Sequence, residues 1–233
     1  MSTDHCASCD VRRLCLPVNL DDEALRELDA VFGTQARVGK QEVLYRAGEP
    51  FTALYAIRLG TFKTLVLSED GREQVTGYYM CGDVLGLDGI GEARHASEAI
   101  ALEDSEVCPL PFAKLDEMVR REPVLRRNLL CLLSRDLCRG QGMMLLLGSM
   151  RAEERLAAFL LNLAERYKRR GYSASEFILR MTREEIGSYL GLTLETVSRV
   201  FSRLQDEGAI QVQGRAIKLL DLPALNRLAG HGR

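Results

Sequence analysis

Residues 182–205, TREEIGSYLGLTLETVSRVFSRLQ, decide how this chain is read. Thr182-Arg183-Glu184-Glu185 has the form of a capping box, in which a Thr hydroxyl and a Glu carboxylate satisfy orphan N–H groups at a helix start. Ile186 and Leu190 then face a core from a first helix, Gly191 permits a tight bend, and Val197, Val200 and Leu204 anchor a second helix. This is helix-turn-helix spacing. It leaves Leu194, Glu195, Ser198, Arg199 and Arg203 on the outer face. The N-terminal end of a recognition helix is what reaches base edges in the major groove. Arg199 suits guanine O6 and N7, Glu195 suits cytosine N4, and Ser198 suits several bases or a thymine methyl. A helical hairpin of an all-α domain would share the two helices. It would not explain the cap, the bend, the outward Glu, Ser and Arg, and the hairpin that follows. Gln211 to Leu220 reads as two short strands turning at Gln213-Gly214, a wing. Double-stranded DNA is the expected partner.

Upstream, Ala152 to Arg170 carries Leu156, Ala157, Phe159, Leu160 and Leu163 at helical spacing, with Gly171 as the stop. Pro123 suits the first position of a longer helix, where its missing N–H costs nothing. Between it and Met150, Leu130, Leu133, Leu137, Gly140, Met144 and Leu147 follow a 3-4-3-4-3 spacing. That is an a/d seam suited to a homodimer; Gly140 leaves a gap in it. A second stripe, Leu125, Leu129 and Leu132, is expected to pack on the protein's own body. A two-fold seam joined to a DNA reader implies a palindromic site with half-sites about one helical turn apart.

Further upstream the texture changes to strands and turns. Short apolar runs between about Arg37 and Pro111 are separated by glycines, and Ser68-Glu69-Asp70-Gly71 is a strong hairpin turn. Asn19 to Phe32 and Pro111 to Arg121 read as short helices. The expected fold class is α+β: an N-terminal antiparallel β-roll, a long dimerisation helix and a C-terminal winged helix-turn-helix. The expected divisions are a cysteine-rich segment 1–18, a sensory roll 19–110, a dimerisation region 111–150 and a DNA-binding domain 151–233.

Composition agrees with this plan. The 233 residues carry 31 Lys+Arg and 33 Asp+Glu, a net charge of -2, with 46% hydrophobic residues. The balance is uneven. Residues 1–149 hold 17 basic and 23 acidic side chains, whereas residues 150–233 hold 14 basic and 10 acidic. A basic C-terminal part places the nucleic-acid contact there. No apolar run reaches the ~18 residues needed to span a bilayer, and the polar N-terminus lacks a secretory pattern, so a cytoplasmic location is expected. There is no G-x-x-x-x-G-K-[ST], H-E-x-x-H or G-x-S-x-G, and the histidines at 5, 95 and 231 are scattered. No catalytic residues are expected, and the chain is not read as an enzyme.

Seven cysteines remain to be explained. Cys6-x2-Cys9-x5-Cys15 is a tight thiolate set, and Cys108 is the fourth candidate. Four thiolates near one point repel unless a metal neutralises them, so the set implies Zn²⁺ or an iron–sulfur cluster, and spacing alone does not choose. Cys131 and Cys138 read as small, buried helix-face residues, and Cys81 has no assigned role.

The stretches YAIR (55–58), G-x-EQ-x-TG (71–77), GMMLLL (142–147), AEERLAAFLLNL (152–163) and MTREEIGSYLGLTLETVSR (181–199), with the cysteine spacing ahead of Leu14-Cys15-Leu16-Pro17, resemble one family along nearly the whole chain. It is the cyclic-AMP receptor and fumarate-nitrate-reduction regulator superfamily, and the chain resembles its oxygen-sensing, anaerobic branch. The resemblance implies a cyclic-nucleotide-binding-like roll and a [4Fe–4S] cluster held by Cys6, Cys9, Cys15 and Cys108. It also implies a homodimer that binds a palindrome like TTGAT-N4-ATCAA through Glu195, Ser198 and Arg199, and contact with RNA polymerase near the Asp70-Gly71 turn. In that family oxygen converts the cluster to [2Fe–2S] and then removes it, and the dimer weakens, so genes of anaerobic metabolism are activated or repressed accordingly. A regulator of the same superfamily with a zinc-stabilised or otherwise liganded sensor is the alternative. The chain departs from the family pattern at Asp10, Arg72 and Gly140. The places that serve a nucleotide's ribose and phosphate in the sister branch hold Leu87, Ser97 and Glu98, which argues against cyclic nucleotide. His95, the one histidine of the body and so the candidate for haem, reads as a surface or loop residue.

Overall fold

The computed structural model describes Cys6, Cys9 and residues 12–68 and 71–230. The chain divides into two compact units, Met1–Cys138 and Arg139–Arg233.

In the first unit, α1 (Asp22–Val31) starts where Asp21 caps it, its carboxylate accepting from the N–H groups of Glu23 and Ala24 at 3.1 and 2.9 Å. The helix begins later than the sequence pattern suggests, because Asn19 takes φ 60° and the chain ahead of it winds in turns. Eight strands follow: β1 (Ala36–Val38), β2 (Val43–Tyr45), β3 (Ala53–Leu59), β4 (Thr61–Leu67), β5 (Glu73–Met80), β6 (Val84–Leu85), β7 (Glu98–Ala101) and β8 (Ser105–Pro111). They form two four-stranded antiparallel sheets, ordered β1-β8-β3-β6 and β2-β7-β4-β5. Both sheets contribute to one interior, including Val38, Ile57, Leu85 and Val107 from the first and Tyr45, Phe62, Ala99 and Ala101 from the second. Burial alternates along β7, whereas the first five residues of β4 are all buried. The centre of the turn between β4 and β5, residues 69–70, lies outside the described residues; Ser68 and Gly71 on either side are joined by a 2.9 Å backbone bond.

A second core lies beneath the roll. It joins Cys15, Leu16 and Leu20 to Ala24 and Leu28 of α1, Leu54 and Ala56 of β3, Leu115 and Met118 of α2 (Phe112–Arg121), and Leu125 of α3 (Pro123–Ser149). The stripe Leu125, Leu129 and Leu132 faces this core, with Leu125 fully buried. Cys131 and Cys138 lie off that stripe and are exposed rather than buried, a correction to the sequence reading.

The second unit contains α4 (Ala152–Arg169), β9 (Glu176–Ile178), α5 (Arg183–Leu190), α6 (Leu194–Asp206), β10 (Ile210–Gln213), β11 (Ala216–Leu219) and α7 (Leu222–Leu228). Leu156, Leu160 and Leu163 of α4 are buried, as are Ile186, Val197, Val200 and Leu204 of the two reader helices. The wing is three-stranded, ordered β10-β11-β9. Its third strand was not anticipated, because Glu176-Phe177-Ile178 is too short to show a period. No helix among the described residues is long and apolar enough to cross a membrane.

Candidate nucleic-acid interface and thiol site

The reader is built as the local chemistry demands. Thr182 Oγ1 accepts from the Glu185 N–H at 3.1 Å, and Glu185 Oε2 accepts from the Thr182 N–H at 2.7 Å, closing the capping box. Gly191 ends α5 at φ 63°, left-handed backbone that favours glycine. Thr193 then caps α6, accepting from the Thr196 N–H at 3.2 Å. The apolar face of α6 is fully engaged, which leaves Leu194, Glu195, Ser198 and Arg199 exposed on its first two turns. Arg203, also outward, is paired with Glu153 of α4 and with Glu207 at 2.8 Å, so it is less free to reach a base. The Arg183 guanidinium lies 3.4 Å from the Phe201 ring centroid and packs the start of α5 on α6. Gln205 ties α6 to the wing by accepting from the Val212 N–H at 3.0 Å.

On α3, Leu130, Leu137 and Met144 are 60, 64 and 70% exposed, and Leu133 and Leu147 are half-buried. Large apolar side chains are rarely left in such a row without a partner surface.

The cysteine segment winds in successive turns, with bonds from Cys9 N–H to Cys6, Arg12 to Cys9, Cys15 to Arg12 and Val18 to Cys15. The spacings of Cys6, Cys9 and Cys15 are multiples of three, in step with these bonds. Cys6 is anchored from below, its N–H donating to Asp29 Oδ1 at 2.7 Å. Cys108 sits on β8 opposite Ala56 of β3 and packs on the same core as Cys15.

Burial pushes the Cys15 thiol up to about 12 and the Cys108 thiol up to about 11, and it raises Cys6 well above the ordinary thiol range. Mutual repulsion adds to each: Cys6 with Cys15 and Cys108, Cys15 with Cys108 and Cys9, and Cys108 with Cys9. The four sulfurs therefore lie in one electrostatic neighbourhood. Among the described residues, no three His, Cys, Asp or Glu side chains stand close enough to hold one ion. The donor set nonetheless fits a thiophilic centre. As neutral thiols the four are compatible, and a bound cation would be needed to hold them as thiolates against burial and their mutual repulsion. Cys81, in the turn after β5, is half-buried.

The loop before β7 has a different chemistry. Asp88 Oδ2 accepts from the Ala96 and Ser97 N–H groups at 3.0 and 2.9 Å and from Ser97 Oγ at 2.8 Å. Donors that an anion would use are thus taken by the chain's own carboxylate. His95 is buried, not a surface residue as its sequence context suggests. It stacks on Tyr45 at 3.8 Å, meets the edge of Phe51 at 5.5 Å, and holds Nδ1 3.7 Å from Asp88 Oδ1. Aromatic packing accounts for its place in the roll.

Two functional positions were not singled out from sequence: Asn128, which bonds the cysteine segment, and Arg155, which bonds three carbonyls. No sequence signal marks either, because their partners are backbone carbonyls.

A capped helix-turn-helix with a wing and an outward Glu, Ser and Arg, in a chain that also carries an antiparallel roll, defines a class. It is a DNA-binding transcription regulator and not an enzyme. Residues 154–228 match the Crp-like helix-turn-helix domain, and residues 35–122 match the cyclic nucleotide-binding domain. The chain is 44% identical over 229 residues to the fumarate and nitrate reduction regulatory protein of Escherichia coli K12, covering 98% of this chain and 92% of that one. It is 47% identical over 226 residues to the anaerobic regulatory protein of Pasteurella multocida, covering 97% and 83%. The solved structure of FixK2 from Bradyrhizobium japonicum is similar with a TM-score of 0.78 and 34% identity, over 84% of this chain and 96% of that one. The chain belongs to the fumarate and nitrate reduction regulator family, the anaerobic branch of the Crp-like transcription regulators.

Proposed function

We propose that this chain is an oxygen-responsive global regulator whose Cys6, Cys9, Cys15 and Cys108 hold a [4Fe–4S] cluster. In this reading the roll senses, the 111–150 region dimerises through Leu130, Leu133, Leu137, Met144 and Leu147, and the winged domain reads DNA. Glu195, Ser198 and Arg199 contact a palindrome resembling TTGAT-N4-ATCAA, in the cytoplasm and together with RNA polymerase. Promoters of anaerobic metabolism are then activated or repressed.

One observation carries the reading: the cysteine segment and the dimer helix are built into each other. Cys15, Cys108 and Leu125 share one apolar core, and the Asn128 amide donates to the carbonyls of Leu16 and Val18 at 2.9 and 2.7 Å. When bound, the cluster would supply a cationic, oxygen-sensitive core that offsets part of the charge of the four thiolates. The protein's own residues do the rest. Asp29 holds the Cys6 backbone, and Asn128 holds the carbonyls of Leu16 and Val18 just after Cys15, beside the apolar core. Releasing the segment removes these contacts from the first turns of α3. Monomer and dimer need differ by only a few kcal/mol for such a loss to shift the population by orders of magnitude.

The test is anaerobic purification with iron, sulfide and zinc analysis, followed by absorbance and sedimentation during air exposure. The expected result is about four iron and four sulfide per chain, bleaching in air with loss of the dimer. Stoichiometric zinc, no visible chromophore and no response to air would leave a regulator with a zinc-stabilised sensor.

A further inference from the structure

The last turn of every α-helix ends in carbonyls without intrahelical donors, and these carry the negative end of the helix dipole. In the second unit two such ends meet one side chain. Arg155, in the first turn of α4, donates from Nη2 to the carbonyl of Leu147 near the end of α3 at 2.8 Å. Its Nη1 donates to the carbonyl of Leu190, the last residue of α5, at 2.9 Å. Its Nε donates to the carbonyl of Met150, in the link between α3 and α4, at 2.8 Å. A planar guanidinium presents these donors in a fixed fork, so three carbonyls bound to it are fixed relative to one another.

The packing around it is equally close. A Cβ at Gly191 would come within 3.2 Å of Leu147 Cδ2 and 3.3 Å of Arg155 Nη1. The link is further tied to α4 by the Arg151 N–H, which donates to Glu154 Oε2 at 2.9 Å. Glu153, on the same turn, pairs with Arg203 of α6.

We infer that Arg155 is a positioning residue that sets the angle between the C-terminal turns of α3 and the reader helices, and thereby the half-site spacing that the protein accepts. The inference rests on the proposed dimer. In a two-fold dimer paired along α3, that angle determines where the two copies of α6 lie on the duplex. One base pair of spacer changes the half-site separation by about 3.4 Å and its rotation by about 35°. A rigid joint rejects such a change, and a loose one tolerates it. Arg155 touches no DNA, so its effect appears in spacing selectivity and not in base readout.

The test uses the full-length protein and fluorescence anisotropy with four duplexes: a single TTGAT half-site, the palindrome, and palindromes one base pair shorter and longer. R155K keeps the charge and loses the fork. Wild type is expected to prefer one spacing sharply. R155K is expected to bind the single half-site as wild type does, while its preference for the correct spacing falls by about tenfold or more. If R155K weakens binding to every duplex by the same factor, Arg155 is merely structural and the inference fails. If wild type itself shows no spacing preference or binds as a monomer, the dimer reading fails and takes the inference with it. That result is read in wild type alone. Should R155K not fold, R155Q, which keeps an amide donor but neither the charge nor the fork, replaces it. It is expected to relax the spacing preference in the same way, and an unchanged preference would overturn the inference.

Discussion

Replacing Asn128 by alanine tests the joint between the cysteine segment and α3 without any metal. The Asn128 amide makes two bonds, to the Leu16 carbonyl at 2.9 Å and to the Val18 carbonyl at 2.7 Å. Each such bond contributes about 0.5–1.5 kcal/mol net, so Asn128→Ala is expected to cost about 1–3 kcal/mol. The unit that holds it spans Met1–Cys138. At ~2.1 cal/mol/K per residue its unfolding entropy is about 0.3 kcal/mol/K, which converts the loss to a melting point lower by roughly 3–10 °C. The assay is calorimetry of the full-length protein in reducing, metal-free buffer, following the transition of the first unit. Asn128→Asp sharpens it. At neutral pH a carboxylate would face two carbonyl oxygens, so this variant should melt below the alanine variant and recover as acid protonates the carboxyl and lets it donate. An alanine variant that melts within about 1 °C of wild type, or an aspartate variant that melts above it, would refute the account of the joint.

Three further outcomes are expected. Arg199→Ala should cost about 1–3 kcal/mol per half-site and relax selectivity at one guanine, measured by competition between duplexes that differ at that base; uniform weakening on all sequences would make Arg199 a phosphate contact. Thr182→Ala should lower the stability of the second unit by about 1 kcal/mol in urea denaturation, because the Glu185 N–H loses its cap while Glu185 keeps its own bond to the backbone. Leu137→Asp should abolish dimerisation in sedimentation and leave the melting point of the monomer unchanged, since Leu137 is 64% exposed on the single chain; a lower monomer melting point would mean that the seam is core.

The reader was the most legible part of the chain. Its chemistry is local: a cap, a glycine bend and an apolar period set α5 and α6, and the exposed residues follow as the remainder. The roll was legible as a texture of strands and turns, but its pairing order was not, because β8 pairs with both β1 and β3 across long sequence separations. His95 was misjudged for a similar reason, since the Tyr45 ring that covers it lies fifty residues earlier. Cys131 and Cys138 were misjudged because apolar residues surround them on several faces of α3, and only the roll decides which face is inside. The cysteine spacing was legible as a thiolate set. Its multiples of three match the backbone bonds that link Cys6, Cys9, Arg12, Cys15 and Val18 in succession. Asn128 and Arg155 were invisible because their partners are backbone carbonyls, which no sequence pattern marks.

These two side chains bracket the seam, and their positions say what kind of signal α3 can carry. Asn128 ties α3 within the first unit, and Arg155 holds the Leu147 carbonyl within the second. What can change between the two ties is whether Leu130, Leu133, Leu137, Met144 and Leu147 are paired with a second copy. Burying a leucine or methionine that is more than half exposed contributes about 1–2 kcal/mol, so the proposed seam amounts to several kcal/mol. Fixing the first turns of α3 through Asn128 contributes about 1–3 kcal/mol, a comparable quantity. In the proposed switch the tie is made in the dimer-competent state and lost in the other; every 1.4 kcal/mol is a factor of about ten in an equilibrium constant, so that difference would move the dimer population by tenfold to a hundredfold. The joint at Arg155 then has a different duty from the tie at Asn128. It carries none of that free energy, and it makes whichever dimer forms present its reader helices at one spacing.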